Sequence, residues 1–137
     1  MANAIYPKFK QSLMTANTGV AINVATMSVA ICNSTYAYAA SHAVLNDITA
    51  GLVANNDLTT PTVYANGTFQ DSGAVSITFP SVPAGTAIES LVLYKWNTSG
   101  TDSHVVAYLD TNVTNLPVTP NGGDITITWD TSGIFTL

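Results

Sequence analysis

The stretch Ala87-Ile-Glu-Ser-Leu-Val-Leu-Tyr-Lys-Trp96 decides the fold, because it is the strongest strand pattern in the chain. Its centre, Leu91-Val-Leu-Tyr94, is apolar at consecutive positions. Such a run is typical of a strand that is buried on both of its faces. We therefore expect this strand to be central in a sheet, with Leu91 and Leu93 in the core.

Shorter strand patterns lie on either side of this stretch. Residues 74–79, 104–109 and 124–130 alternate apolar and polar side chains, which is the period of a strand with one buried face. Residues 24–31 follow the same rule, and residues 134–137 form a last short strand. Asn66-Gly67 predicts a hairpin turn. In the 124–130 strand the side chains expected to point inward are Ile125, Ile127 and Trp129.

Two short helices are predicted in the N-terminal third. Residues 5–14 place Ile5, Phe9 and Leu13 on one helical face, and Pro7 suits the first helical position. Residues 35–48 are the second candidate, with Ser41 as its cap. The polar stretch 52–62 is interpreted as a long loop with a short extended piece, and the stretch 110–123 as a loop.

These patterns predict one domain over residues 1–137. Its class is mainly β, an antiparallel sandwich or jelly-roll-like barrel with one or two short helices near the N-terminus. The segment 1–18 is interpreted as an extended anchoring arm, because terminal segments are free to reach a neighbour.

The composition excludes several classes of function. Charged residues make up 8% of the 137 residues, against about 25% in typical domains. The cations are three lysines, there is no arginine, and the net charge is -5. Phosphate binding depends on such cations, so we expect no nucleic-acid partner. No signal peptide or apolar span indicates a membrane. So weakly charged a surface suits a protein that packs beside other subunits.

The sequence shows no convincing set of catalytic residues. Ser41, His42 and Asp47 are close in sequence, but adjacent residues of a helix point apart, which disfavours a triad. His42 is expected to pack beside the helix, and His104 to be solvated. Asp124 and Asp130 are too far apart along one strand to form a glycosidase pair.

The sequence also shows no convincing metal-binding, cofactor-binding or redox motif. Asp110-Thr-Asn112 is the one calcium candidate, but no loop shows spaced acids at ligand positions. Cys32 stands alone among apolar neighbours and is predicted to be a buried, inert thiol. We therefore predict no enzyme, no catalytic residue, no metal and no cofactor.

Aromatic residues leave one alternative open, a carbohydrate-binding or host-recognition module. Trp129 falls on the apolar side of its strand, whereas Trp96 ends a strand and is the candidate for exposure. The other aromatic residues considered for a sugar-binding face are Tyr36, Tyr38, Tyr64, Tyr94 and Tyr108.

Three stretches resemble a family of small virion structural proteins encoded by tailed bacteriophages and prophages. They are Ile5-Tyr-Pro-Lys-Phe-Lys-Gln-Ser-Leu13, Tyr36-Ala-Tyr-Ala-Ala-Ser-His-Ala-Val-Leu-Asn-Asp-Ile48, and Leu116-Pro-Val-Thr-Pro-Asn-Gly-Gly-Asp-Ile-Thr-Ile-Thr-Trp-Asp130 followed by Ile134-Phe135. The resemblance covers most of the chain in order and is weakest over residues 52–62. These motifs are structural, so the resemblance implies no catalytic residues.

The resemblance implies a capsid decoration, or cement, protein. Such a protein is made in the bacterial host cytoplasm, binds the outside of the virion head as a dimer or trimer, and stabilises the major capsid protein shell. The alternatives are a head–tail joining or tail subunit and the carbohydrate-binding module. The predicted interface residues, in the N-terminal segment, are Tyr6, Lys8, Phe9, Lys10 and Leu13.

Overall fold

A computed structural model of the chain describes residues 3–15, 21–22, 26–71, 76–111 and 113–137. Over these ranges the chain is mainly β, as predicted, with antiparallel sheets, one α-helix and one short 3₁₀ helix. The helical elements are α1 (Pro7–Met14) and the 3₁₀ helix (Leu45–Ile48). The strands are β1 (Ala4–Ile5), β2 (Met27–Asn33), β3 (Leu52–Asp57), β4 (Pro61–Val63), β5 (Thr68–Asp71), β6 (Ser76–Phe79), β7 (Ile88–Lys95), β8 (His104–Leu109), β9 (Ile125–Thr128) and β10 (Phe135–Thr136).

The largest sheet has five strands in the order β1-β8-β7-β2-β3, and every neighbouring pair is antiparallel. Strand β7 lies in the middle and is buried on both faces, so the prediction of a central strand is confirmed. Strand β2 was expected to be half-buried, and that expectation is wrong. Ser28 and Met27 point to opposite faces of β2, and both are buried. Both faces of this strand, which lies between β7 and β3, are therefore covered.

The remaining strands form two smaller sheets, β10-β5-β4 and β6-β9. In β6 and β9, Ile77 is paired with Ile127 and Phe79 with Ile125, and all four side chains are buried. The Asn56 side-chain amide of β3 donates to the Thr78 carbonyl of β6 over 2.7 Å, which links these strands to the five-stranded sheet. The arrangement is sandwich-like, and no barrel closes among the strands that the structure describes.

The C-terminal alternation is confirmed residue by residue. Ile125, Ile127 and Trp129 are buried, whereas Asp124 and Asp130 are exposed. In the neighbouring three-stranded sheet, Phe69 of β5 and Phe135 of β10 stack with ring centroids 5.1 Å apart. The predicted hairpin is confirmed by β4 and β5, where Gly67 adopts a φ of 82° that glycine tolerates without steric cost.

The N-terminal segment is docked on the sheet, so the interpretation as an extended arm is wrong for residues 3–15. Strand β1 pairs with β8, with Ala4 opposite Tyr108 and Ile5 opposite Ala107. The helix begins at Pro7, which was predicted to suit its first position, and Ile5 lies before it because that residue is engaged in the pairing with β8. Residues 1–2 and 16–18 of the proposed arm lie outside the described residues.

The second predicted helix, over residues 35–48, is wrong except for its last four residues, which form the 3₁₀ helix. The segment before it is held by tertiary contacts: Leu45 N–H donates to Ser103 O, and Val105 N–H donates to Ala43 O. Ser41 is not the cap. The capping group is the Asp47 carboxylate, which lies within the helix itself.

The two stretches interpreted as loops are more ordered than predicted. Residues 52–57 form β3 and residues 61–63 form β4, although their polar composition is typical of a loop. An edge strand has one solvated side, so it tolerates that composition. In the stretch 110–123, Val118 exchanges two backbone hydrogen bonds with Ile88 of β7, and Thr114 bridges to Thr128.

Candidate functional site

The histidine and the aspartate of the candidate hydrolytic triad have separate hydrogen-bond partners. His42 Nδ1 lies 3.0 Å from the Tyr36 hydroxyl oxygen. Asp47 Oδ2 accepts hydrogen bonds from the backbone N–H groups of Ala43 and Val44, at 2.8 and 3.0 Å. These bonds, the Ala43 bond first, lower the pKa of the Asp47 carboxyl below its usual value. The carboxylate therefore acts as a helix cap, and the histidine belongs to a tyrosine cluster.

The two acids that flank β9 also stabilise turns. Asp124 accepts a hydrogen bond from the backbone N–H of Ser81 at 2.8 Å. Asp130 accepts from both the hydroxyl and the backbone N–H of Ser132, and these bonds lower the pKa of Asp130. Each carboxylate is thus occupied in its own turn, in agreement with their exclusion as a pair.

The calcium candidate gains no support from the described residues. Asn112 lies outside them. The backbone N–H groups of Asp110 and Thr111 both donate to Asn3 Oδ1, so the turn is organised by an amide of the N-terminal segment. Across the described ranges, no group of three or more histidine, cysteine, aspartate or glutamate side chains could hold a metal ion.

A cluster of tyrosines fills the interior between α1 and the five-stranded sheet. Tyr6 and Tyr38 have ring centroids 5.1 Å apart, and Tyr38 and Tyr108 have theirs 5.3 Å apart. Burial raises the pKa of Tyr6 above its ordinary range and that of Tyr36 to about 12. Burial also raises the pKa of the Cys32 thiol to about 12, so this cysteine is a buried, protonated side chain as predicted.

His104 was expected to be solvated, and the structure corrects this. It is half-buried, lies opposite Lys95 of β7, and bridges to Val44. Burial, with a further contribution from the Lys95 ammonium, lowers the pKa of the imidazole. A neutral ring at the start of β8 is consistent with a packing role.

The predicted interface residues divide into two groups. Tyr6 is 0% exposed and Phe9 is 1% exposed, so these side chains fill the core of the chain and have no surface to offer a partner. Both were expected to be surface anchors, because the sequence of a short terminal helix does not reveal which part of the chain packs against it. The side chains of Lys8, Lys10 and Leu13 are exposed.

Those three residues and Met14 are exposed side chains of α1, and we call them the helix face. At about 100° of rotation per residue, Lys10, Leu13 and Met14 lie side by side around the helix axis, whereas Lys8 lies on another side. Leu13 is 38% exposed and Met14 is 86% exposed. Both follow Lys8 and Lys10, and the third lysine, Lys95, is 6% exposed. The helix face therefore combines two exposed cations with two exposed apolar side chains.

A second exposed apolar surface surrounds the hairpin between β4 and β5. Val63 is 41%, Tyr64 45% and Leu137 54% exposed. Leu137 belongs to this surface because its backbone N–H donates to the Gly67 carbonyl, 3.1 Å away. We call these three residues the hairpin patch. This surface was not predicted from the sequence, because Leu137 was expected to belong to a packed strand.

A groove opens at one end of the five-stranded sheet, between β2, β3, the 3₁₀ helix and the end of β7. Its volume is about 270 Å³. Trp96, predicted as the tryptophan to be exposed, forms one wall and is 41% exposed. The Ser28 hydroxyl donates to Asp57 Oδ1 over 2.5 Å within the groove. The groove is lined by Ser28, Leu45, Asn55, Asp57, Tyr94 and Trp96.

Comparison with protein-family models, curated proteins and solved structures finds no match for this chain. Among the described residues, no helix has the length and apolar character needed to cross a membrane. The interpretation of function therefore depends on the surfaces described above.

Proposed function

We propose that this chain is a structural protein of a tailed-phage virion that decorates the outside of the head shell. In this role it binds major capsid subunits, acts as a small homo-oligomer, and reinforces the shell. The resemblance of its sequence to small virion structural proteins supports this proposal. The structural observation that carries it is the helix face of α1.

The helix face leaves its two apolar side chains exposed, while Lys8 Nζ donates to Gln11 Oε1 over 3.3 Å on the helix surface. Tyr6 and Phe9 fix the helix to the sheet from below, so the backbone that carries the outer side chains is already ordered before a partner binds. Leu13 and Met14 are exposed, so their burial can lower the free energy only when a partner covers them. Lys8 and Lys10 favour an acidic partner surface and disfavour a basic one.

The hairpin patch provides a second contact surface, in a different sheet from the one on which α1 packs. A protein that reinforces a shell must contact more than one neighbour. Two exposed apolar surfaces on one domain satisfy that requirement, and many weak copies on one shell act together. The acidic net charge of -5 favours the outside of the head over an inner surface that faces packaged DNA.

Copy number in purified virions is the first test. Hundreds of copies per particle support decoration, whereas six or twelve copies indicate the alternative, a head–tail joining ring. A protein that is absent from virions, or that does not bind undecorated heads when added to them, contradicts the proposal.

The second test locates the contact with point variants, because removing the N-terminal segment would take Tyr6 and Phe9 out of the core. Leu13→Ser with Met14→Ser should weaken binding to undecorated heads about tenfold or more, by the loss of apolar burial. Lys8→Gln with Lys10→Gln should weaken it less and reduce its salt dependence. Glu89→Gln, on the exposed side of β7, is the matched control and should bind normally.

A further inference from the structure

We propose that the groove beside Trp96 is a binding site for a neutral saccharide. This site goes beyond the structural role proposed above and does not depend on it.

The aromatic wall is a fixed and accessible indole ring. Trp96 directly follows β7, and its backbone N–H donates to the Thr26 carbonyl at 3.0 Å, which anchors the base of the side chain. Trp96 lines the groove and is 41% exposed as a residue. The face of an indole carries negative charge density, so it attracts the weakly positive C–H groups on one face of a pyranose ring.

The opposite side of the groove offers hydrogen-bonding groups that are already oriented. Asp57 Oδ1 accepts a hydrogen bond from the Ser28 hydroxyl, so the carboxylate is held in place. Asn55 lies two positions earlier in β3 and therefore faces the same side of the strand. Its side-chain amide makes no hydrogen bond to any described residue.

Sugar hydroxyls need both donors and acceptors, and the groove supplies both. A carboxylate accepts hydrogen bonds only, whereas an asparagine amide donates and accepts. Asp57 can therefore accept from one hydroxyl of a sugar while Asn55 bonds to a neighbouring one. Because β3 is the edge of its sheet, a ligand can reach these groups from solvent.

Charge and shape favour a neutral ligand over an anion or a cation. No lysine lines the groove and Asp57 lies within it, which disfavours a phosphate or a carboxylate. An aromatic cage for an ammonium group needs several exposed rings, but Tyr94 is only 3% exposed. The volume of about 270 Å³ lies just below the range of about 300–1,000 Å³ for drug-sized ligands, which suits one or two sugar rings.

The test uses the two indole N–H signals of the full chain in a nitrogen-15 NMR spectrum, since the sequence has two tryptophans. Glucose, galactose, mannose and N-acetylglucosamine are titrated separately, far beyond a Kd of about 1 mM. We expect at least one sugar to shift the Trp96 signal saturably and to leave the signal of the buried Trp129 unchanged.

Variants then assign the site. Trp96→Ala and Asn55→Ala should each weaken sugar binding about tenfold or more, whereas Trp96→Phe should retain part of it. Because the Trp96 variants lack the indole signal, binding to all variants is followed by the backbone amide signals of Tyr94 and Asp57, which also line the groove. Tyr64→Ala is the control, because Tyr64 has a similar exposure of 45% but lies in the hairpin patch. If Trp96→Ala does not fold, as judged by circular dichroism, the exposed Asn55 position decides.

Three results would overturn the inference. The first is that none of the four sugars gives a saturable shift. The second is that the Ala variants at the groove bind as tightly as the unchanged chain. The third is that choline or inorganic phosphate shifts the Trp96 signal and the sugars do not.

Discussion

The hydroxyl oxygens of Tyr6 and Tyr36 lie 2.5 Å apart in the protein interior and share a hydrogen bond. The Tyr36 hydroxyl also lies 3.0 Å from His42 Nδ1. This chain of three side chains connects the residue that precedes α1 to the segment that precedes the 3₁₀ helix. It is therefore a tertiary contact between parts of the chain that are thirty residues apart.

Tyr6→Phe should lower the free energy of unfolding by about 1–2 kcal/mol, because it leaves the ring in place but removes one partner of a buried hydroxyl. Chemical denaturation followed by circular dichroism measures the loss. Tyr64→Phe removes the hydroxyl of an exposed tyrosine and should change stability by less than about 0.5 kcal/mol. Equal effects of the two substitutions would show that the buried contact contributes nothing to stability.

Trp129→Ala should cost about 3–5 kcal/mol, since this side chain is 7% exposed and packs in the core. Trp96→Ala should cost less than about 1 kcal/mol, because its side chain is 41% exposed. The pair of variants changes the same residue type in two environments, so denaturation midpoints give a direct comparison. A loss under about 1 kcal/mol for Trp129→Ala would contradict its assignment to the core.

The free energy of unfolding should fall as the pH rises from about 9 towards 12. Cys32 is the clearest of the titrating groups that cause this fall. Burial raises its pKa from 9.0 to about 12, so the folded chain keeps the proton while the unfolded chain loses it above pH 9. The stabilisation by the protonated thiol is thus complete below pH 9 and declines through this window. Tyr36, raised from 10.0 to about 12, acts in the same direction.

The measurement is the denaturation midpoint between pH 7 and pH 11. Cys32→Ala removes one of the titrating groups and should make the decline shallower, although it also lowers stability at pH 7 through the lost volume. A thiol reagent should label the unchanged chain at pH 8 only after denaturant is added. Rapid labelling of the folded protein would contradict the burial of Cys32.

Gly51→Ala should be clearly destabilising, by about 1–3 kcal/mol. A Cβ atom at this position would collide with the backbone and the Cβ of Tyr36, and neither can move away as a flexible side chain would. Gly85→Ala is the matched control, because no atom lies within 4 Å of a Cβ placed there. It should be neutral or slightly stabilising. Similar thermal midpoints for the two variants would contradict the close contact at Gly51.

The strands that were predicted correctly from the sequence are those in which the order of apolar and polar residues along the strand matches which side chains are buried. Strands β7 and β8 were placed within about one residue at each end, and the burial of Ile125, Ile127 and Trp129 followed from simple alternation. Each of these segments has a consistent apolar face, so local pattern and tertiary burial agree.

The errors arose where tertiary contacts outweigh local pattern. Residues 35–48 have helical spacing, but backbone bonds to Ser103 and Val105 and the tyrosine cluster hold them in another conformation. Strand β3 was missed because an edge strand can be polar on its open side. At the candidate sites, the exposure of Trp96 was predicted from its position at a strand end. The burial of Tyr6 and Phe9 was not predicted, because it depends on the docking of the N-terminal segment against β8.

The composition of β3 has a consequence for how copies of this protein behave when crowded. An open sheet edge invites another strand to add to it, which is a common route to fibres and aggregates. Here the edge carries Asn55, Asn56 and Asp57, and the Asn56 amide already occupies the Thr78 carbonyl. In a pairing of two copies that places Asp57 opposite Asp57, the two carboxylates would also repel each other. The edge therefore protects against runaway polymerisation, so many copies can be concentrated side by side without their sheets merging.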